Sequence, residues 1–383
     1  MAVPKHIFEG ICILDFTQWL AGPQATRLLV DLGAEVIKVE PIGGKGGVGD
    51  ATRYLTSSGS GFFAAFSRNK KSVTLDLDAV DGVTVARELI ASADVFIENF
   101  RPGGLDSKGL GYAALAKDHP RLIYCSLKGF LTGPYEQRTA LDEVVQMMTG
   151  LAYMTGPVGQ PLRAGAPVND MMGGMFGAIA VLAALRLRDQ TGQGQHVQSG
   201  LFENAAWLVS THMMQAAISG QVPPPMSAGK RAWGVYDTFE TADGVKLFVG
   251  VVTERQWDIF TRALADPVLT DPGYATNNER SRRRDTLIPL VAGILKKHRI
   301  ADLEAMCERA GLPFSRIQTP VDLFNDPHLN AGGMIALTLP SGQGTKIPAL
   351  PIQFGEARLP LRYDLPKPGE HNDEVFATLR KRS

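Results

Sequence analysis

Cysteine is scarce in this chain of 383 residues: Cys12, Cys125 and Cys307 occur, and no C-x-x-C pair is formed. That excludes a disulfide framework and a thiolate zinc site built on paired cysteines. Cys12 and Cys125 lie in apolar, strand-like runs, where a thiol behaves as a small hydrophobe. The pattern is that of a reducing compartment, and the cytoplasm is the expected location. The seven histidines are scattered and form no H-x-x-x-H, so no metal site is expected. An excess of one charge is also missing: 39 Lys and Arg balance 39 Asp and Glu. Neither nucleic acid nor an anionic membrane is therefore an expected partner, because both select basic surfaces. No apolar stretch follows Met1-Ala2-Val3-Pro4-Lys5-His6, so no signal peptide is expected. The longest apolar run, residues 171–187, is interrupted by Gly173, Gly174 and Gly177. Its length is at the low edge for a membrane span and reads as a buried helix. The glycine-dense segment 43–49 is no phosphate-binding Walker loop, because Lys45 is followed by Gly46. It reads as a surface loop. Ser67-Arg68-Asn69-Lys70 fits S-x-x-K without the S-D-N and K-T-G partners that would give it meaning.

What is present is regular alternation. Apolar runs at 11–16, 35–39, 95–97 and 122–127 read as strands, and helical patterns lie between them, notably after Ala21-Gly22-Pro23, at 83–91 and at 113–118. Strands alternating with helices over short connections argue a parallel sheet covered on both faces, an open doubly wound α/β arrangement. Ligands of such sheets sit beyond the carboxyl ends of the strands. The residues after Phe16, Ile97 and Leu127 are therefore the first candidates. Segments 139–153, 171–190 and 197–220 read as helices, and Gln221-Val222-Pro223-Pro224-Pro225 breaks the pattern. Residues 236–252 read as a hairpin around Asp243-Gly244, followed by helical material from 255 to 312. The expected organisation is a large domain from 1–220 with 331–383, and a small α+β domain at 225–325. Strands are expected in the tail at 332–339 and 350–354.

Asp170 stands between an extended, proline-containing segment and the long apolar helix. One reading makes it the helix N-cap. In the other, Asn169 is the cap and the Asp170 carboxylate faces a cleft, kept ionised by the helix dipole. A poorly hydrated carboxylate is a competent nucleophile for acyl chemistry.

Several blocks, in order along most of the chain, carry a resemblance. They are Leu14-Asp15-Phe16-Thr17-x-x-x-Ala21-Gly22-Pro23, Leu32-Gly33-Ala34-Glu35-Val36-Ile37-Lys38-Val39-Glu40, and Asn69-Lys70-Lys71-Ser72-Val73-x-Leu75-Asp76-Leu77. Ala93-Asp94-Val95-x-Ile97-Glu98-Asn99-Phe100-Arg101-Pro102-Gly103, Gly133-Pro134-Tyr135, the Asn169-Asp170 helix start and Thr191-Gly192-x-Gly194-Gln195 follow. Together they resemble CoA-transferase family III, the group of formyl-CoA and carnitine CoA-transferases, with α-methylacyl-CoA racemase as a cousin. The resemblance implies a Rossmann-like large domain and an interlocked homodimer. It also implies Asp170 as a nucleophile that becomes an aspartyl–CoA thioester. The substrates it implies are an acyl-CoA and a small carboxylic acid, with no permanently bound cofactor. Leu20, Leu75, Asn99, Phe100, Arg101 and Lys108 are the expected CoA-binding residues. Gln18 is expected to orient a carboxylate or carbonyl, and Asp142 to orient the substrate. Gly173-Gly174 or Ala228-Gly229 are the candidates for a loop shielding the intermediate. The alternative is racemisation of an acyl-CoA, which needs two bases. The racemase pattern has a His where this chain has Leu141, while Glu254 sits where racemases carry a Glu. Arg163 and Arg138, near Asp170 in sequence, are candidates to hold a second carboxylate, which would suit dicarboxylic acyl groups such as succinyl-CoA.

Overall fold

The computed structural model describes residues 7–43, 47–228, 232–355 and 358–380. The chain divides into two compact units, Met1–Pro223 with Pro327–Ser383, and Pro224–Asp326.

In the first unit the order is β1 (Cys12–Asp15), α1 (Ala21–Asp31), β2 (Glu35–Pro41), α2 (Phe62–Phe66), β3 (Lys71–Leu75), α3 (Val80–Ala91), β4 (Val95–Glu98), α4 (Tyr112–Asp118) and β5 (Ile123–Lys128). Then come α5 (Asp142–Met148), α6 (Leu151–Thr155), α7 (Val168–Thr191), β6 (His196–Gly200), α8 (Leu201–Leu208) and α9 (Ser210–Ser219). The six strands pair in the order β3-β2-β1-β4-β5-β6, every neighbour parallel. Successive side chains of a strand point to opposite faces, and both faces are covered, so the strands read as continuous apolar runs. Leu14, Val39, Val73 and Phe96 join one core, while Ile13, Val36, Val95 and Ile97 join another that includes Ala178 and Val181 of α7. The order reverses at β1, which pairs β2 on one side and β4 on the other. A crevice at the carboxyl ends of β1 and β4 follows from that topology.

The apolar run before Arg188 is α7, long and apolar enough by length and composition to cross a membrane. Here it lies against the sheet through Gly177, Ala178, Val181 and Leu185. Glycine lets it approach α1 closely: a Cβ on Gly174 would lie 2.6 Å from the Ala21 carbonyl oxygen. Gly22 plays the same part at the start of α1, where a Cβ would lie 2.2 Å from the Thr17 Cβ.

In the second unit β7 (Val235–Glu240), β8 (Lys246–Val251) and β9 (Phe314–Arg316) form an antiparallel sheet, β7 and β8 joined through Gly244 at φ 75°. Between β8 and β9 run α10 (Glu254–Leu264), α11 (Asn277–Arg282), α12 (Arg284–Leu295) and α13 (Ile300–Ala310). Their core gathers Phe239, Val249, Trp257, Phe260, Val291 and Cys307. Back in the first unit, the tail holds α14 (Pro327–Asn330), the hairpin of β10 (Met334–Thr338) with β11 (Gly344–Pro348), and α15 (Asn372–Arg380). His371 and Asn372 hydrogen-bond the backbone of Ser72 and Thr74 and tie the tail to β3.

Three local expectations are corrected. The single helix read over 139–153 is two, α5 and α6, parted by Gly150 in the left-handed region at φ 81°. The helix read over 197–220 begins with edge strand β6, which pairs β5. The expected strand at 350–354 is displaced to β11, whose partner β10 sets the register through a tight Ser341-Gly342 turn. Gly44 to Gly46 of the glycine-dense loop, and Gly229 of a proposed shielding loop, lie outside the described residues.

Candidate active site

The first segment of the site is the exit of β1. Asp15 is buried, and its Oδ1 accepts from the Thr17 backbone N–H at 2.9 Å and the Thr17 hydroxyl at 2.5 Å. Its Oδ2 takes the Thr26 hydroxyl at 2.6 Å and the Lys70 ammonium at 3.0 Å. Burial would raise this carboxyl, but Lys70 and Lys38, with both threonine hydroxyls, hold it down at about 2. Lys38, itself buried, donates to the Thr17 carbonyl at 2.8 Å and pairs with Asp50 at 2.8 Å. Buried charges persist only when paired and hydrogen-bonded. This network meets that requirement and anchors the loop that follows.

Asn99, at the end of β4, completes the anchor. Its Oδ1 accepts from the Gln18 N–H at 3.0 Å and its Nδ2 donates to the Gln18 carbonyl at 2.7 Å, across the point where the strand order reverses. With the backbone of 17 and 18 held on both sides, Trp19 is forced to φ 68° and stands 54% exposed. A bulky residue in the left-handed region costs on the order of 1–2 kcal/mol, a strain that concentrates at functional sites.

A cleft of about 540 Å³ opens beside this loop. Gln18, Leu75, Phe100 and Lys108 line it, together with Phe16, Val39 and Glu40. Leu20, Asn99 and Arg101 do not. Leu20 is buried ahead of α1, the Asn99 amide bonds the backbone of Gln18, and Arg101 is exposed. Lys108 donates to the Leu77 carbonyl at 2.9 Å and to Asp78 at 2.7 Å, a carboxylate that is itself almost wholly solvated. Glu40 is held by Arg53 and by the Ser72 hydroxyl at 2.6 Å.

The second segment is the start of α7. Neither Asn169 nor Asp170 is its cap: the helix starts at Val168, with Pro167 before it and Asp170 in the first turn. The capping acceptor comes from another helix. Asp142 Oδ1 accepts from the backbone N–H of Asn169 at 2.7 Å and of Asp170 at 3.1 Å. Asp142 Oδ2 accepts from Gln146 Nε2 at 2.5 Å, and Gln146 Oε1 accepts from the Ala164 N–H at 2.8 Å. Asp142 is buried, so both of its oxygens are spent on structure. The substrate-orienting role expected for it is replaced by that of a residue positioning Asp170.

The Asp170 carboxylate is left without a hydrogen bond or ion pair among the described residues. Burial first, then the charges of Asp142 and Glu143, push it up to about 7. The ionised state expected from the helix dipole alone is therefore only half populated at neutral pH. The two segments are neighbours, because α1 and α7 run side by side with Ala21 at Gly174 and Ala25 near Gly177. Both helices start toward the carboxyl ends of the strands, α1 directly after β1 and α7 with Gly177 against Leu127 near the end of β5.

A family profile described as CoA-transferase family III matches residues 8–372. The chain belongs to this family. The chain is accordingly a CoA-transferase that uses CoA thioesters as substrates. The succinate–glutarate CoA-transferase of Agrobacterium fabrum is 34% identical over 390 residues, covering 98% of this chain and 96% of that protein. The acetyl-CoA:oxalate CoA-transferase of Acetobacter aceti is 33% identical, covering 99% and 96%. A crystal structure of a CaiB/BaiF family protein from Brucella suis superposes with a TM-score of 0.85 at 33% identity, over 99% of this chain and 100% of that one. Trp19, Gln146 and the capping use of Asp142 were not anticipated from the sequence. A Trp two residues beyond a strand–Asp–x–Thr exit was the available signal for the first.

Proposed function

We propose that the chain moves coenzyme A from a dicarboxylic acyl-CoA to a dicarboxylic acid through a covalent thioester on Asp170. The observation that carries this reading is the unpaired Asp170 carboxylate at a helix start, poised at about 7 beside the β1 exit. The names of two relatives, a succinate–glutarate and an acetyl-CoA:oxalate CoA-transferase, support the dicarboxylate class.

Asp170 attacks the thioester carbonyl; the C–S bond breaks and the CoA thiolate leaves, giving a mixed anhydride. The thiolate attacks the aspartyl carbonyl, and the donor acid departs as a carboxylate. The acceptor carboxylate attacks the aspartyl thioester and releases thiolate again. That thiolate takes the new acyl group and frees Asp170. No proton is consumed or released. Retaining the thiolate makes each return step effectively unimolecular. Gln18, whose amide has no partner among the described residues and lines the cleft, is placed to donate to the carbonyl oxygen where charge develops. Leu75 and Phe100 supply apolar walls for the CoA moiety, and Lys108 can exchange solvated Asp78 for a phosphate.

An apolar surface supports the homodimer. Ile179 of α7, Trp207 of α8, and Met213, Met214 and Ile218 of α9 are all more than half exposed. Large apolar side chains left exposed on successive helices suit an interface. Two buried thiols, Cys125 and Cys307, support a reducing cytoplasm. Racemisation is disfavoured: Leu141 has no proton acceptor, and Glu254 is committed to an ion pair with Arg280.

The test is mass spectrometry of the enzyme mixed with acyl-CoA. CoA should appear as a thioester on the peptide containing Asp170, and be absent from Asp170→Ala. An alanine variant that still exchanges thioesters at the wild-type rate ends the proposal.

A further inference from the structure

We propose that Arg163 receives the distal carboxylate of a dicarboxylic substrate, exchanging its pairing with Glu143 for that group. The inference rests on the dicarboxylate reading above and names the group that would impose it.

The first observation is how little of Arg163 is used. Its Nε lies 3.6 Å from Glu143 Oε1, beyond hydrogen-bond range. Its one hydrogen bond among the described residues runs from Nη1 to the Ala164 carbonyl at 3.3 Å. A guanidinium has five N–H donors in a planar fork that matches a carboxylate. Most of this fork is unspent.

The second observation is where Arg163 is held. The N–H of its neighbour Ala164 is bonded to buried Gln146, Gln146 to Asp142, and Asp142 to the backbone of Asp170. One buried chain of hydrogen bonds thus fixes the Arg163 backbone relative to the nucleophile. The partner it faces, Glu143, is close enough for its charge to act on Asp170. Glu143 also follows Asp142 in sequence, so both members of the pair are tied to the residues that hold the start of α7. Arg138, the other arginine near the site in sequence, is engaged differently: its guanidinium lies 4.8 Å from the Tyr135 ring centre and 6.0 Å from that of Phe130.

A diacid with one carboxylate at Asp170 brings a second negative charge toward a nucleophile already flanked by Asp142 and Glu143. Without a cation it would be rejected. Displacing Glu143 from a long, half-exposed pair costs little, and a bidentate carboxylate on the freed fork returns more.

The two partners then have opposite effects, which a merely structural ion pair would not produce. Acceptor kcat/KM is compared for glutarate and valerate, acids of equal length with two and one carboxyl groups. Succinyl-CoA is the common donor. In a double-displacement reaction this quantity reports only the acceptor half. Wild type should prefer glutarate. Arg163→Ala should lower the glutarate:valerate ratio by roughly tenfold or more, the scale of a lost charge-assisted contact, and Arg163→Lys should recover part of it. Glu143→Gln should lower the KM for glutarate. An Arg163→Ala ratio within about threefold of wild type, a wild-type preference for valerate, or a raised glutarate KM in Glu143→Gln overturns the assignment. If those results come with a trapped aspartyl–CoA adduct, Arg163 alone is wrong. If no adduct forms on the wild type, the transferase reading itself is wrong.

Discussion

The elevated Asp170 carboxyl makes a pH profile the sharpest test of the site. The attacking species is the carboxylate, so kcat/KM for the acyl-CoA should follow its ionisation in the free enzyme. With the group at about 7, about one molecule in eleven is ionised at pH 6 and about ten in eleven at pH 8. The rate constant should therefore rise about tenfold between those pH values and level off above them. An ordinary aspartate, titrating near 4, would give a flat profile over the same range. The cause can be probed separately. Burial is the largest contribution, and Asp142 and Glu143 add to it. Glu143 is exposed and makes none of the hydrogen bonds that cap α7, so Glu143→Gln removes a charge and leaves the helix start intact. The acid limb should move down by roughly half a unit to one unit, the scale of one nearby like charge in a partly solvated site. At pH 6 the variant should then be several-fold faster than wild type, and at pH 8 nearly equal to it. Stopped-flow or initial-rate assays at subsaturating acyl-CoA over pH 5 to 9 measure both limbs. A wild-type profile without an inflection above pH 5, or a limb unmoved by Glu143→Gln, would refute the electrostatic account of the nucleophile.

Two further outcomes follow from the same geometry. Asp170 binds its proton more tightly folded than unfolded, so the folded state loses stability as pH rises from about 4 toward 7 and stays penalised above. Asp170→Asn should therefore be more stable than wild type at pH 8 by about 2 kcal/mol, a figure discounted for partial exposure, and the gap should close by pH 4 in denaturant titrations; an equal gap at both pH values contradicts the shift. Gly174→Ala places a methyl 2.6 Å from the Ala21 carbonyl oxygen. It should destabilise by roughly 1–3 kcal/mol through overpacking between helices, and an unchanged melting temperature would show that α1 and α7 are not tightly apposed.

The parts of this protein that were legible in its sequence are those where one physical rule dominates. Alternating apolar runs and helical patterns announced a doubly wound sheet, and the reversal of strand order at β1 follows the general crevice rule for such sheets. Gln18, Leu75, Phe100 and Lys108 were placed by that rule and by family resemblance, and they do line one cleft. What stayed hidden depends on side chains choosing partners across long stretches of chain. The match of the Asn99 amide to both backbone groups of Gln18, 81 residues away, is one such pairing. Strand β6 was lost inside a helical reading because an edge strand needs its partner, β5, to define it.

Asp142 illustrates the limit most clearly. A carboxylate near a nucleophile invites a chemical role, and sequence distance cannot say otherwise. In the fold it replaces the cap that Asn169 or Asp170 would have provided, by offering one oxygen to two orphan N–H groups of a helix start. The consequence is functional. A carboxylate that caps its own helix spends its oxygens on backbone donors and is held as a low-pKa anion. By supplying the cap from α5, the chain leaves Asp170 free of hydrogen bonds while adding a negative charge beside it. Both effects raise its basicity. Burial makes the largest contribution to that shift and the neighbour's cap adds to it; no motif confined to positions 166–175 could have contained the second part.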